Sequence, residues 1–416
     1  MPEAVSGSRP RRGDRWAARD YPTLLWLTAA LVVVIAHRVV PQHGWVLVHL
    51  LLLGALTHAV LVWSLHFAQA LLRSRPDLDP RAHQSARLWL VTAGAAVVVV
   101  GVPTRLWWLV VTGAVLLVAA VTWHAIALGR RWRAALPGRF RVTLRYYLAA
   151  AAWVPVGATL GVLLARRPGE EWVGRLVVAH SLSLLLGWIG LTVTGTLVTL
   201  WPTMLRTRID DRAERLAEQA LPVFLLAITV LVIAPLAGSR ALSVTALVLY
   251  LAGLVWWGRA LIVPVHQRPP GEVSTMSVSL ALVWWVVVLV LAAAHIAHAR
   301  TWTAVAHGYG TIAAVAAFGF GLQLMVGALS YLIPVVLGGG PSVVRAVQHR
   351  VERWGVARIV GLNLAVLTWL IPVPDPVRIA LRTFGVVAVA LFVPIMVSGF
   401  VARVRAMRRP HPGRSS

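Results

Sequence analysis

The sequence predicts an all-α, polytopic membrane protein with about 12 transmembrane helices. Of its 416 residues, 59% are hydrophobic and 13% are charged, and the mean hydropathy is +0.77. Soluble domains carry about 25% charged residues. Apolar runs of about 18 or more residues recur along the whole chain, which is the length a helix needs to cross a bilayer. The strict alternation typical of barrel strands is absent, and lipid offers no partner for free backbone groups, so the spans must be helices.

Each apolar run is assigned to one span, and the short polar segments between runs are assigned to loops. The predicted spans are 22–40, 45–72, 87–103, 105–128, 144–165, 176–202, 218–237, 240–263, 274–298, 303–337, 356–372 and 378–401. No loop is long enough for a soluble domain. The predicted organisation is therefore a basic tail (1–21), one membrane domain (22–401) and a second basic tail (402–416).

The basic residues are unevenly distributed between the two sides of the predicted membrane domain. All 39 are arginines, and the formal net charge is +25. When the loops are assigned alternately to the two sides, about 30 arginines fall on the side of the tails and about nine on the other. This asymmetry predicts a multi-pass plasma-membrane protein with both termini cytoplasmic. It also predicts attraction to anionic membrane lipids, and it argues against nucleic acid as a partner.

Histidine is the most informative residue type, because the chain has 14 histidines and no cysteine. The absence of cysteine excludes disulfides, thiolate zinc sites, iron–sulfur clusters and thioether-linked haem. Ionisable groups inside a membrane are costly and are often functional. The histidines within predicted spans are His49, His58, His66, His124, His180, His295, His298 and His307.

Three of these histidines are predicted to lie at one depth. His49, His180 and His307 each fall about four residues into spans 2, 6 and 10, which run in the same direction. At 1.5 Å per residue, each ring lies roughly 6–8 Å below the predicted outer end of its helix. The three imidazoles could converge on one site. The alternative is that each makes only an interhelical hydrogen bond, and the roles of His58, His66, His124, His295 and His298 stay open.

Glycines and a weak internal echo accompany these histidines. Gly187 follows His180 by seven residues, which places both on one stripe of a regular helix. A glycine there permits close approach by a flat macrocycle or by another helix. Span 6 ends in 195-GTLVTLWP-202, span 10 ends in 327-GALSYLIP-334, and span 2 contains 54-GALTH-58. The recurrence suggests a pseudo-threefold arrangement of three four-helix units.

Acidic residues are absent from the span interiors, and Glu218 comes nearest to one. Proton-coupled carriers and pumps usually place a carboxylate within a span, so the pattern argues against both.

The chain resembles the haem–copper oxidase subunit I superfamily in its 12 spans, its cytoplasmic termini and its histidines on spans 2, 6 and 10. It looks closer to the NnrS family and to the membrane domain of actinobacterial multicopper oxidase or nitrite reductase proteins. The stretches that carry the second resemblance are 49-HLLLLGALTHAVLVWSLHF-67, 180-HSLSLLLGWIGLTVTGTLVTLWPTMLRT-207 and 319-GFGLQLMVGALSYLIPVVLGGGP-341. They cover about a sixth of the chain.

This resemblance implies site residues. His49 and His307 match the positions that hold a b-type haem, and His180 matches a copper ligand. Arg378 and Arg382 match arginines that face the haem propionates. Other features of the family are missing: span 7 has no histidine, span 10 has one histidine instead of two, and the span 6 tyrosine and the cupredoxin domain are absent.

We therefore expect a haem-binding electron-transfer protein without a complete copper site and without oxygen reductase activity of its own. A quinol donor and an extracytoplasmic copper protein of the cupredoxin type are the partners that this resemblance implies. Bis-histidine ligation fills both axial positions of a haem and favours electron transfer. The alternatives are a permease for a small solute or metal, and a membrane scaffold without catalytic activity.

Overall fold

The protein is all helical over the residues that the structure, a computed structural model, describes: 12–72, 81–135, 138, 140–337 and 341–398. Most of the predicted tails lie outside these residues. The helices are α1 (Arg12–Ile35), α2 (His43–Leu72), α3 (Arg81–Gly101), α4 (Trp107–Ala134), α5 (Arg141–Ala165), α6 (Glu170–Leu205), α7 (Ala213–Leu236), α8 (Arg240–Gln267), α9 (Val273–His298), α10 (Trp302–Leu337), α11 (Pro341–Glu352), α12 (Gly355–Leu367) and α13 (Asp375–Ala390).

These helices confirm the predicted fold class. Within the described residues, ten helices are long and apolar enough to cross a membrane, and two shorter apolar helices, Pro22–Ile35 and Gly355–Leu367, occupy the positions of predicted spans 1 and 11. The chain is thus a multi-pass membrane protein by the length and composition of its helices. Helix α11 was not predicted. It is short and amphipathic, and its Val347 and Val351 are buried, so an apolar run long enough for a span is missing there.

Three helices form the centre of the bundle. The apolar windows of α2, α6 and α10 are 67%, 78% and 72% buried, whereas those of the other spanning helices are 22–44% buried. The aliphatic and aromatic side chains of these three helices belong to one continuous hydrophobic core. Because these helices are enclosed by the others, their polar residues must find partners within the protein.

Each central helix contains one π-helical segment near its middle: Leu50–Leu56 in α2, Ser183–Gly190 in α6 and Val315–Leu322 in α10. A π-helical turn contains an additional residue, so it changes the face that later side chains present. Segments of this kind occur frequently at functional sites.

A glycine occupies the fifth position of each π-helical segment and packs against a tryptophan from the preceding long helix. The three pairs are Gly54 with Trp26, Gly187 with Trp153, and Gly319 with Trp284. A Cβ atom added at these glycines would lie only 2.6, 2.6 and 2.9 Å from the respective indole carbons. Glycine is therefore needed at each position for the indole to fit.

Helix bounds repeat with the same spacing. Helix α8 begins and ends 133 residues after α4, and α10 begins and ends 132 residues after α6. The spacing supports three related units: α1–α4, α5–α8 and α9–α13. It agrees with the predicted echo between Gly195 and Gly327 but places Gly54 opposite Gly187, so the register predicted for 54-GALTH-58 is wrong.

Candidate functional site

The imidazoles of His49 and His180 meet between α2 and α6 at the predicted outer end of the bundle. Their ring centroids are 6.4 Å apart, and their planes differ by 14°. Both side chains are half-buried. The two helices thus bring together two of the three histidines that the sequence singled out.

Each ring is oriented by a hydrogen bond to a backbone carbonyl. The Nδ1–H of His49 donates to the Trp45 carbonyl at 2.8 Å, and the Nδ1–H of His180 donates to the Gly157 carbonyl of α5 at 2.8 Å. A carbonyl only accepts, so the proton lies on Nδ1 in both rings. In the neutral rings, each Nε2 therefore keeps a lone pair that can bind a metal. Histidines that bind metals typically make this second hydrogen bond.

Packing fixes both rings further. The indole of Trp45 stacks on His49 with centroids 3.8 Å apart and planes 21° apart. Gly161 of α5 lies against His180, and a Cβ atom there would lie 2.8 Å from its Cε1 atom. The glycine that makes room for the His180 ring is thus on another helix. Gly187, predicted to lie beneath this ring, packs against Trp153 instead, because the π-helical segment begins between the two residues and breaks the regular period.

One hydrogen bond joins α6 to α10 beside the histidine pair. The hydroxyls of Ser181 and Tyr309 are 2.6 Å apart, and Ser181 also donates to the Val177 carbonyl at 2.6 Å. Since Ser181 is adjacent to His180, this contact helps to hold that part of α6 in place.

His307 lies on the exposed face of α10. The buried face of this segment is formed by Trp302, Val305, Tyr309 and Ile312. His307 follows Val305 by two residues, which is about 200° around the helix, so it points away from the core. Among the described residues, no ring contact joins His307 to His49 or His180.

The depths of the three histidines also differ from the prediction. They lie six, ten and five residues after the first residues of α2, α6 and α10. Counted back from the fifth-position glycines, the separations are five, seven and 12 residues. At 1.5 Å per residue, His307 lies roughly 8 Å nearer its helix end than His180. The pairing of His49 with His307 that the resemblance implies is not the pair that the fold brings together.

Arg378 and Arg382 lie on α13. Arg378 pairs with Asp375, and Arg382 donates from Nε to the Thr368 hydroxyl at 2.9 Å and lies 4.6 Å over the Trp369 ring. Among the described contacts, none joins either arginine to the histidine pair. Their role at haem propionates stays a prediction.

The remaining intramembrane histidines have other neighbours. His58 is fully buried with its Nδ1 3.4 Å from the Thr92 hydroxyl, and the His124 Nε2 lies 2.9 Å from the Ser64 hydroxyl. The His66 ring packs edge-on against Trp63. Two others bond to backbone carbonyls: His295 to Val305 and His298 to Ala294.

Sequence reasoning missed two features near this end of the bundle. The first is the pair Gly157 and Gly161, whose spacing of one helical turn on α5 was the available signal. The second is an exposed contact between the rings of His37 and His43, with centroids 5.8 Å apart. Within the described residues, no three histidine, aspartate or glutamate side chains are placed to hold one metal ion.

No known family model matches the sequence, and no curated protein matches it significantly. The function must therefore be argued from the geometry of the histidine pair.

Proposed function

We propose that this multi-pass membrane protein binds a b-type haem through His49 and His180 and serves in electron transfer. The observation that carries the proposal is the near-parallel pair of rings with centroids 6.4 Å apart. An imidazole nitrogen binds a metal at about 2 Å, and the ring centroid lies about 1 Å beyond that nitrogen. Two rings on opposite sides of one metal ion therefore have centroids about 6 Å apart, which matches the spacing.

The donor set also fits a haem. The chain has no cysteine, and two neutral imidazoles are sufficient as axial ligands of b-type haem. The Trp45 and Gly157 carbonyls hold the Nδ1 protons and leave Nε2 of both rings free for ligation. Gly161 keeps space open beside His180. Bound haem would supply a one-electron iron couple.

The residues of the chain have separate tasks in this proposal. His49 and His180 bind the group, and their carbonyl partners orient the rings and raise the basicity of Nε2. Trp45 covers one face of His49 and restricts its rotation. A membrane position suits a quinol as donor and an extracytoplasmic copper protein as acceptor, and both partners belong to the proposal.

The test is the absorption spectrum of the full-length protein purified in detergent from haem-replete cells. The wild type should show a Soret band and low-spin bands of bis-histidine haem. His49→Ala and His180→Ala should each abolish or shift the low-spin bands. His307→Ala is the matched control, because His307 is exposed at the same end of the bundle, and it should keep the wild-type spectrum.

Two results would overturn the proposal. A colourless wild-type protein that also fails to bind added hemin would favour a permease or a scaffold. Loss of the low-spin bands in His307→Ala, with His180→Ala unchanged, would assign the haem to the pair that the family resemblance implies.

A further inference from the structure

A small polar cavity lies within the third unit, between α9, α10, α12 and α13 near the predicted cytoplasmic end. Its volume is about 20 Å³. Ser277, Gln323 and Arg358 provide its polar lining, and aliphatic and aromatic side chains such as Val326 and Phe392 provide the rest. A cavity of this size holds one guest about as large as a water molecule.

Gln323 is buried without hydrogen bonds. Its side chain is 1% exposed, and neither its Nε2 nor its Oε1 atom has a partner in the protein. Nearly all buried polar groups in native proteins are hydrogen-bonded, and an unpaired one costs about 1–3 kcal/mol. The unpaired amide is thus an independent indication that the cavity receives a polar guest.

Arg358 places a positive charge beside the same cavity. It is 7% exposed, one of its Nη atoms donates to the Val351 carbonyl, and its Nε–H has no partner. The neighbouring Glu352 accepts the Val273 N–H with both carboxylate oxygens, at 3.1 and 3.0 Å. Among the described ion pairs, none includes Arg358. A buried guanidinium without a direct counter-ion is strongly unfavourable.

We propose that this cavity binds one small monovalent anion of about the size of chloride. The unpaired N–H groups of Arg358 and Gln323 are donors that an anion accepts, and the anion neutralises the guanidinium charge. A water molecule would accept the same hydrogen bonds but would leave the charge uncompensated. The amide oxygen of Gln323 is left for a hydroxyl or a water, and Ser277 lines the same cavity.

The internal repeat supplies a matched variant for the test. The position equivalent to Gln323 in the second unit, 132 residues earlier, is Leu191, which is fully buried. Gln323→Leu therefore introduces a side chain that the same helix position already accommodates. Gln267→Leu is the control, since Gln267 is exposed at the end of α8.

The first measurement is the thermal unfolding midpoint of the detergent-purified full chain, with sodium chloride replacing sodium gluconate at constant ionic strength. The wild type and Gln267→Leu should show a saturable rise with chloride, and Gln323→Leu should lose it. Equal rises in all three proteins, or no rise in the wild type, would overturn the proposal.

The second measurement is anomalous diffraction from wild-type crystals grown in bromide. A bromide peak between Arg358 and Gln323 is the expected result. Non-anomalous density of one water in the cavity would overturn the proposal. Neither measurement depends on haem, so this inference and the proposed function can fail separately.

Discussion

The imidazole of His180 lies against Gly161, with its Nδ1–H bound to the carbonyl of Gly157 one helical turn earlier on α5. A methyl group at Gly161 would lie 2.8 Å from the ring, so the ring must shift and weaken its hydrogen bond. We expect Gly161→Ala to reduce haem affinity about tenfold, which is typical when the support of a metal ligand is lost. Titration of the apoprotein with hemin, followed at the Soret band, measures this change.

The control for this variant is Gly258→Ala on α8, because a Cβ atom there meets nothing within 4 Å. It should bind hemin as the wild type does. Unchanged affinity in Gly161→Ala, in a protein with unchanged circular dichroism, would contradict the assignment of His180 as a ligand.

The tryptophan–glycine pairs predict a second effect, on stability. In Gly187→Ala the new methyl group would lie 2.6 Å from the Trp153 ring, and overpacking of this kind costs about 1–3 kcal/mol. The better helix propensity of alanine offsets up to about 1 kcal/mol of this cost. We expect a lower thermal unfolding midpoint, partly restored in the double variant Gly187→Ala with Trp153→Leu, which removes the clashing ring.

The same comparison at Gly258, where the added methyl group meets open space, should leave the midpoint unchanged or raise it. A lowered midpoint in Gly258→Ala as large as that in Gly187→Ala would show that helix glycines are needed for a general reason. It would remove the special role of the indole contact.

The fold was predictable because span length and hydrophobicity are local properties of the sequence. Each predicted span has a corresponding helix, and the bounds of the span predicted at 240–263 differ only at its end. The amphipathic helix α11 was missed because only one of its faces is apolar, with Val347 and Val351 buried on it. A test based on mean hydropathy does not detect such a helix.

The histidine pair was only partly predictable, because depth along a helix is easier to infer than rotation about it. His49 and His180 meet, but His307 faces outward from a stripe that contains Val305 and Tyr309. The π-helical segments add a second difficulty. They begin after the histidines and change the face on which later residues such as Gly187 lie. Periodicity counted across them therefore assigns the wrong neighbours.

Glu352 predicts a pH dependence. Burial raises the pKa of this carboxyl above its ordinary value near 4.5, and the Glu272 carboxylate adds to the rise, against a hydrogen bond from the Val273 N–H. Because the folded state holds this proton more tightly than the unfolded chain, ionisation destabilises the fold. The contribution of Glu352 is thus most favourable below pH 4.5 and falls as the pH rises through the raised pKa.

Glu352→Gln removes this titration but keeps an oxygen that can accept the Val273 N–H. The thermal midpoint of the variant should therefore decline less than that of the wild type as the pH is raised from about 4.5, the ordinary glutamate value. Parallel pH profiles for the two proteins would contradict the raised pKa.

The arginine asymmetry predicts which loops face the cytoplasm, and the absence of cysteine makes this prediction simple to test. Gly169, between α5 and α6, and Gly271, between α8 and α9, each have open space around the position of an added Cβ atom. Single cysteines at these positions should leave the fold intact. We expect a membrane-impermeant maleimide to label Gly169→Cys in intact cells and to label Gly271→Cys only after permeabilisation. The reverse pattern would place both predicted tails outside and would move the His49–His180 pair to the cytoplasmic side.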